Sequence, residues 1–219
     1  MQQGVEKKMA IAFWVLALLA NQQTLHFIAK PLLIPVLLLL LFFTKSAVPG
    51  KNLLLAGLLF SWMGDLFLLF EYKNKLFFIF GLASFLTTHI FYIINFLRIR
   101  SANTSLLKKQ PFLIALVLGY GIALVWLLYP HLGDLRLPVI VYATIICSML
   151  LCSLHIFLKV NQKAARYFLT GAAAFVISDS LLAIDKFYQP FAYAGVFIML
   201  TYCAAQYFIV QGFIEQNNS

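Results

Sequence analysis

Eight apolar segments follow one another along this chain, and only short polar connections separate them. They cover approximately residues 6–22, 25–44, 52–70, 76–97, 111–129, 137–158, 166–184 and 191–212. Most have about the 20 residues that an α-helix needs to cross the hydrocarbon core of a bilayer. The sequence therefore predicts an all-α membrane protein, a bundle of about eight transmembrane helices that forms a single polytopic domain over residues 1–219.

The composition excludes a soluble fold, because 63% of the residues are hydrophobic and only 11% are charged. Soluble domains are about 45–50% apolar and about 25% charged. The net charge of +9 would suit nucleic-acid binding, but the basic residues lie in the short connections, as membrane proteins place them. We therefore expect a lipid bilayer as partner, and no nucleic acid.

The distribution of basic residues also predicts the orientation. With eight spans, eleven of the sixteen Lys and Arg residues fall on the side that holds both termini. This bias indicates cytoplasmic N- and C-termini in a cell membrane, the inner membrane if the source is bacterial. If the first segment only lies on the membrane surface, the count falls to seven spans and the termini separate.

Two of the apolar segments carry an aspartate in their interior, Asp65 within residues 57–70 and Asp179 within residues 171–184. A carboxylate inside a membrane-spanning helix is costly, and its usual explanation is function. Each lies five residues before the expected outer end of its helix. At 1.5 Å per residue both are roughly 7–8 Å below the outer boundary. We expect the two carboxyl groups to face one intramembrane site.

Two such groups in one site would support acid–base chemistry. Repulsion between like charges and loss of solvation both favour protonating one of them, so a neutral acid and a carboxylate coexist near neutral pH. The four histidines show neither an HExxH nor an HxxxH spacing. We therefore expect no metal.

An internal repeat is a further possibility. The two aspartates are 114 residues apart, and several neighbouring identities share that offset. An offset of four spans would give two parallel four-helix repeats. The identities at this offset are Gly57 and Gly171, Leu68 and Leu182, Phe77 and Phe191, and Gly81 and Gly195.

Other polar residues in the apolar segments lie at helical spacing. Lys30 falls at a depth similar to that of the aspartates, although a lysine near a helix end can also extend to the interface. The fourth segment carries a polar stripe with a histidine at its edge, and the eighth carries a narrower one. Such stripes face other helices and either build a site or simply bond helices together. The residues concerned are Ser84, Thr88, His89, Tyr92 and Asn95, then Tyr202 and Gln206.

Several motifs taken together resemble the YhhN family, the multi-pass membrane lysoplasmalogenases. They are Lys30-Pro31-Leu32, SWMGDLFLL over residues 61–69, GLASF over residues 81–85 with His89 and Tyr92, Ser178-Asp179-Ser180, and Tyr202 with Gln206. The resemblance implies hydrolysis of the vinyl ether bond of lysoplasmalogens, with a lysophospholipid as substrate and no cofactor. It implies Asp65 and Asp179 as catalytic residues. It implies a substrate pocket formed by Lys30, Ser61, Ser84, His89, Tyr92, Ser178, Tyr202 and Gln206.

This activity is compatible with paired carboxyl groups. A vinyl ether is protonated at carbon, and water captures the resulting oxocarbenium ion, a logic that parallels glycoside hydrolysis. Which aspartate is the acid stays open, and Lys30 would bind the phosphate or tune an aspartate. The alternatives are a proton-coupled transporter of a lipid or small molecule, and another intramembrane lipid hydrolase. The sequence does not give the oligomeric state.

Overall fold

The computed structural model describes residues 12, 15, 26–43, 50–99 and 101–216, and over these ranges it contains helices and no strands. Nearly all of the first predicted segment, residues 6–22, lies outside the described residues. The other seven predicted segments correspond to seven long helices. These are α1 (His26–Phe43), α2 (Lys51–Leu69), α3 (Lys75–Arg98), α4 (Phe112–Leu128), α5 (Arg136–Ile156), α6 (Gln162–Ala183) and α7 (Ala194–Glu215).

Short helical turns fill several of the connections. A four-residue helix, Leu106–Lys109, precedes α4, and two 3₁₀ turns, Tyr129–His131 and Gly133–Leu135, join α4 to α5. A π-helical turn, Ile184–Tyr188, continues α6. With these extensions, α2 to α7 are all long and apolar enough to cross a membrane, and α1 contains the shorter apolar stretch Ile28–Phe43. The predicted fold class, an all-α membrane bundle, is confirmed.

Side-chain caps fix where some helices begin. The Asn74 side chain accepts a hydrogen bond from the backbone N–H of Leu76, 2.9 Å away, at the start of α3. Asn161 does the same for Ala164 at 2.8 Å at the start of α6. Each cap satisfies one of the backbone donors that the first turn of a helix leaves free.

A hydrogen bond joins α1 to α2 at a backbone carbonyl that a proline in α1 leaves without its helical donor. Pro35 lies inside α1 and has no N–H, so the carbonyl of Pro31, four residues earlier, loses its helical donor. The indole Nε1–H of Trp62 on α2 donates to this Pro31 oxygen at 2.8 Å. A neighbouring helix thus supplies the bond that the proline removes, as membrane interiors require.

The most extensive helix–helix interfaces are those between α2 and α3 and between α6 and α7. Glycines permit the close approach. A Cβ at Gly57 would lie 2.7 Å from the Tyr92 ring, and one at Gly171 would lie 2.9 Å from the backbone nitrogen of Ile209. Both glycines of the pair related by the 114-residue offset thus lie at a close contact between consecutive helices, while the repeat itself stays a prediction.

Candidate active site

Two hydrogen-bonded polar clusters lie between the helices. The Asp65 cluster consists of Asp65, Ser61, Tyr92, Tyr202 and Gln206, and the Asp179 cluster consists of Asp179, His89 and Tyr142. The Asp65 cluster is buried throughout, whereas Asp179 is partly accessible.

Helical spacing assembles the Asp65 cluster from three helices. Ser61 and Asp65 are four residues apart on α2, and Tyr202 and Gln206 are four residues apart on α7. Residues at this spacing lie one above the other on the same helix face. Two facing helices thus present a polar pair each, and Tyr92 reaches them from α3.

The hydrogen bonds of the Asp65 cluster form a chain in which each donor points toward the next residue, from Tyr92 to Asp65. Tyr92 donates to Gln206 Oε1 at 2.8 Å, and Gln206 Nε2 donates to Ser61 Oγ at 2.5 Å. Tyr202 donates its only hydroxyl proton to Asp65 Oδ2 at 2.6 Å. Ser61 must therefore donate to Tyr202 across their 2.8 Å contact. Every proton of this relay points toward Asp65, which is the terminal acceptor.

Lys30 adds a positive charge to this region. Its side chain is buried on α1 and interacts electrostatically with Asp65. Within the described ranges, however, no carboxylate lies within the 4.0 Å that would make an ion pair with it. The Asp65 carboxyl group is therefore buried with a hydroxyl donor, Tyr202, in contact and a cation, Lys30, in the same region.

The Asp179 cluster joins α6 to α3 and α5. Tyr142 donates to Asp179 Oδ2 at 2.6 Å, and His89 Nε2 lies 3.3 Å from the same oxygen and 3.0 Å from the Tyr142 hydroxyl. Because the phenol proton goes to the carboxylate, the imidazole must carry its proton on Nε2 and donate it. His89 Nδ1 is buried and has no hydrogen-bond partner in the described part of the chain.

Asp179 lies between two small cavities. One has a volume of about 40 Å³ and is bounded by α2, α3, α5 and α6, with Phe85, Phe78 and Phe187 in its wall. The other has a volume of about 50 Å³ and lies toward α4, with Tyr120 in its wall. Each is large enough for a few water molecules. Apart from Asp179 and Tyr142, the first cavity has an entirely apolar lining, so a carboxyl group there meets few competing polar groups.

Aromatic rings separate the two clusters. The ring of Phe175 lies edge-on to His89 and to Tyr202, with centroid distances of 5.0 and 5.8 Å. Phe85 packs edge-on against Tyr202 at 5.8 Å and also lines the cavity beside Asp179. The clusters are neighbours in one core, but no hydrogen bond joins them among the described residues. That the two carboxyl groups act in one site stays a prediction.

Two of the residues predicted for the pocket bond elsewhere. Ser84 donates to the carbonyl of Phe80 one turn earlier in α3, at 2.8 Å. Ser178 donates to the carbonyl of Ile198 at 3.0 Å and so ties α6 to α7. Both are buried, and neither is hydrogen-bonded to a cluster member. Within the described ranges, no three His, Cys, Asp or Glu side chains are grouped so that they could hold a metal ion.

The sequence analysis missed Tyr142. It lies in α5, which carries no motif, and its only signal was a single tyrosine within the apolar run of residues 137–147. The structure gives it the shortest hydrogen bond to Asp179.

Fold and clusters together define a multi-pass helical membrane protein with carboxyl groups held between its spans. More specifically, the chain belongs to the YhhN family, whose model matches residues 25–213. The resemblance stated from the sequence motifs is therefore confirmed.

Several similar proteins are named lysoplasmalogenases. Lysoplasmalogenase TMEM86A of Bos taurus is 32% identical over 172 residues, which cover 76% of this chain and 67% of that protein. Lysoplasmalogenase TMEM86B of Homo sapiens is 32% identical over 179 residues, 80% of this chain and 70% of that protein. The lysoplasmalogenase of Mycobacterium tuberculosis is 30% identical over 165 residues, 74% of this chain and 60% of that protein. No solved structure matches the chain.

Proposed function

We propose that this chain is a membrane hydrolase that cleaves the vinyl ether bond of lysoplasmalogens. The products are a fatty aldehyde and glycerophosphoethanolamine or glycerophosphocholine, and no cofactor takes part. Family membership and the names of the similar proteins support the substrate class. The observation that supports the chemistry is Asp179, whose Oδ2 is held by Tyr142 and His89 while the carboxyl group borders a cavity.

The reaction needs one proton donor and one water molecule. A protonated Asp179 transfers its proton to the vinyl carbon that is not bonded to oxygen, and the double bond becomes an oxocarbenium ion. Water adds to the carbon bonded to oxygen and loses a proton to the Asp179 carboxylate, which restores the acid. The resulting hemiacetal breaks its bond to the glycerol oxygen, which takes up the hydroxyl proton, and the aldehyde leaves.

The neighbours of Asp179 fit this role. Tyr142 and His89 both donate toward Oδ2, so they stabilise the carboxylate that forms when the proton leaves. The other carboxyl oxygen has no hydrogen-bond partner within the described ranges and is free for the substrate. The small volume and apolar wall of the cavity leave room for the reacting water but limit the number of other water molecules that would compete for the proton.

Asp65 has a different part in this proposal. It is 1% exposed, and its ionised form adds a buried negative charge to the core, which favours a cationic transition state. It also fixes Tyr202, whose ring packs against Phe85 in the cavity wall. Lys30 interacts electrostatically with Asp65 without forming an ion pair with it.

The test is aldehyde release from lysoplasmalogen by the purified protein in detergent. We expect Asp179→Asn to lower kcat by about 10²–10⁴-fold, the usual contribution of a general acid. Asp65→Asn should also lower kcat. If the carboxyl groups act as a unit, the double variant should lose little more than the worse single variant. Glu215→Gln is the matched control, because this carboxylate pairs with exposed Lys163, far in sequence from both aspartates.

Other outcomes would overturn the proposal. Uptake of lipid into proteoliposomes without chemical change would identify a transporter. Chelator-sensitive turnover of ester lipids without aldehyde release would identify another hydrolase. Full activity of Asp179→Asn would remove the proposed proton donor.

A further inference from the structure

A third cavity, of about 510 Å³, lies at the end of the bundle beyond Asp179. We name it the vestibule. The connection between α2 and α3, the turns between α4 and α5, and the π-helical turn after α6 enclose it. Its volume lies within the range of small-molecule sites, about 300–1,000 Å³. It is lined partly by apolar side chains, but unlike the two cavities beside Asp179 it also carries several charged groups. These are Glu71, Lys75, Asp134 and Lys186, with His131 beside them.

The vestibule adjoins the cavity that holds Asp179. Phe78 and Phe187 line both spaces, and their rings meet edge-on with centroids 5.8 Å apart. Lys186 lies over this partition, with Nζ 5.0 Å from the centroid of the Phe78 ring and 3.0 Å from Glu71 Oε2. A molecule that passed between the two rings would have one end among charges and the other beside Asp179.

The charges in the vestibule have both signs. Lys75 and Lys186 are cationic, and Glu71 and Asp134 are anionic. A free anion would meet two carboxylates there, whereas a zwitterion with a phosphate and an ammonium group would find partners for both of its charges. The lining therefore favours a zwitterionic phosphodiester over inorganic phosphate.

We propose that the vestibule binds the zwitterionic headgroup of a lysophospholipid. Lys75 and Lys186 hold the phosphate, and Glu71 and Asp134 face the ammonium group. The short glycerol backbone then crosses the partition formed by Phe78 and Phe187, and the chain attached to it reaches Asp179. This inference rests on the proposed function, because it names where that substrate is anchored.

Steady-state kinetics of Lys186→Gln test this proposal. Two substrates are compared, lysoplasmenylethanolamine and a 1-alkenyl glycerol that lacks the phosphate. Loss of one charged contact to phosphate should raise KM for the phospholipid about tenfold and leave kcat unchanged. KM for the alkenyl glycerol should not change. Lys75→Gln should act in the same direction.

Lys73→Gln is the matched control. Lys73 lies two residues before Lys75 in the connection between α2 and α3, contacts Phe70 and Tyr72, and does not line the vestibule. Exposed ion pairs such as Glu71–Lys186 contribute little to stability, so Lys186→Gln should fold. Equal effects of Lys73→Gln and Lys186→Gln, or equal changes in KM for both substrates, would overturn the proposal.

A binding measurement separates this proposal from the proposed function. Glycerophosphoethanolamine should raise the midpoint of thermal unfolding of the unchanged protein, and Lys186→Gln should abolish this rise. Inorganic phosphate at the same concentration should have a smaller effect. A protein that binds glycerophosphoethanolamine but releases no aldehyde would retain the vestibule site and refute the hydrolase. A protein that releases aldehyde but shows no Lys186-dependent binding would refute the vestibule site alone.

Discussion

Replacing Tyr142 by phenylalanine removes the shorter of the two hydrogen bonds that Asp179 Oδ2 accepts. The variant loses the 2.6 Å bond to Asp179 Oδ2 and the 3.0 Å contact with His89 Nε2, but it keeps the ring, which packs edge-on against His89 with centroids 5.5 Å apart. In the proposed reaction the Asp179 carboxyl gains negative charge as its proton moves to carbon. The bond from Tyr142 therefore strengthens in the transition state, so its loss should lower kcat more than it raises KM.

The size of the effect follows from the chemistry of this bond. A hydrogen bond to a charged group contributes about 1.5–3 kcal/mol. Since each 1.36 kcal/mol is tenfold in rate, kcat should fall by roughly 10- to 150-fold. The assay is aldehyde release from lysoplasmalogen over a range of substrate concentrations.

Tyr120→Phe is the matched control for Tyr142→Phe. Tyr120 also borders a cavity beside Asp179, and its hydroxyl group also donates a hydrogen bond. Its acceptor, however, is Ser180 Oγ, 2.8 Å away. We expect its kcat to stay within about threefold of that of the unchanged protein, because no bond to the carboxyl group is lost. Equal losses in the two variants, or an unchanged kcat in Tyr142→Phe, would refute the role assigned to the Asp179 cluster.

Two further predictions concern the stability of the bundle, measured as thermal unfolding by circular dichroism in detergent. Trp62→Phe leaves the Pro31 carbonyl without its donor and should cost about 1–3 kcal/mol, whereas Trp126→Phe, on a residue that is 78% exposed, should cost little. An equal loss of stability in Trp62→Phe and Trp126→Phe would contradict the role assigned to the hydrogen bond from Trp62. Gly171→Ala places a methyl group against the α7 backbone and should cost about 1–3 kcal/mol, whereas Gly195→Ala meets no atom within 4 Å. Unchanged unfolding of Gly171→Ala would show that α6 and α7 can separate without penalty.

The sequence was sufficient to predict the seven long helices that the structure describes, because their limits depend on local properties. A bilayer sets the length of each apolar segment, and caps such as Asn74 and Asn161 act on the next turn of their own helix. The polar pairs on α2 and α7 could also be found, since residues four apart share a helix face. These inferences require no knowledge of which helices are neighbours.

The partner of each carboxyl group could not be predicted in this way. The equal depth expected for Asp65 and Asp179 concerns their height along the helices, and it says nothing about the direction in which each points around its helix axis. Packing decides that direction, and it turns Asp65 toward Tyr202 and Asp179 toward Tyr142. Tyr142 was missed because its importance comes only from its neighbour on another helix.

The motif residues around Lys30 and Asp65 acquire a common explanation from the contact between α1 and α2. Pro35 cannot donate a hydrogen bond to the carbonyl of Pro31, and the indole N–H of Trp62 donates to that oxygen instead. This hydrogen bond gives α1 one preferred position along α2. Lys30 is the residue next to Pro31, and Asp65 lies one helical turn from Trp62. The hydrogen bond made by the tryptophan therefore sets where the ammonium group lies relative to the carboxylate. A proline usually destabilises a helix. Here it leaves the carbonyl that accepts the hydrogen bond from Trp62, and that bond positions the charged groups in the core.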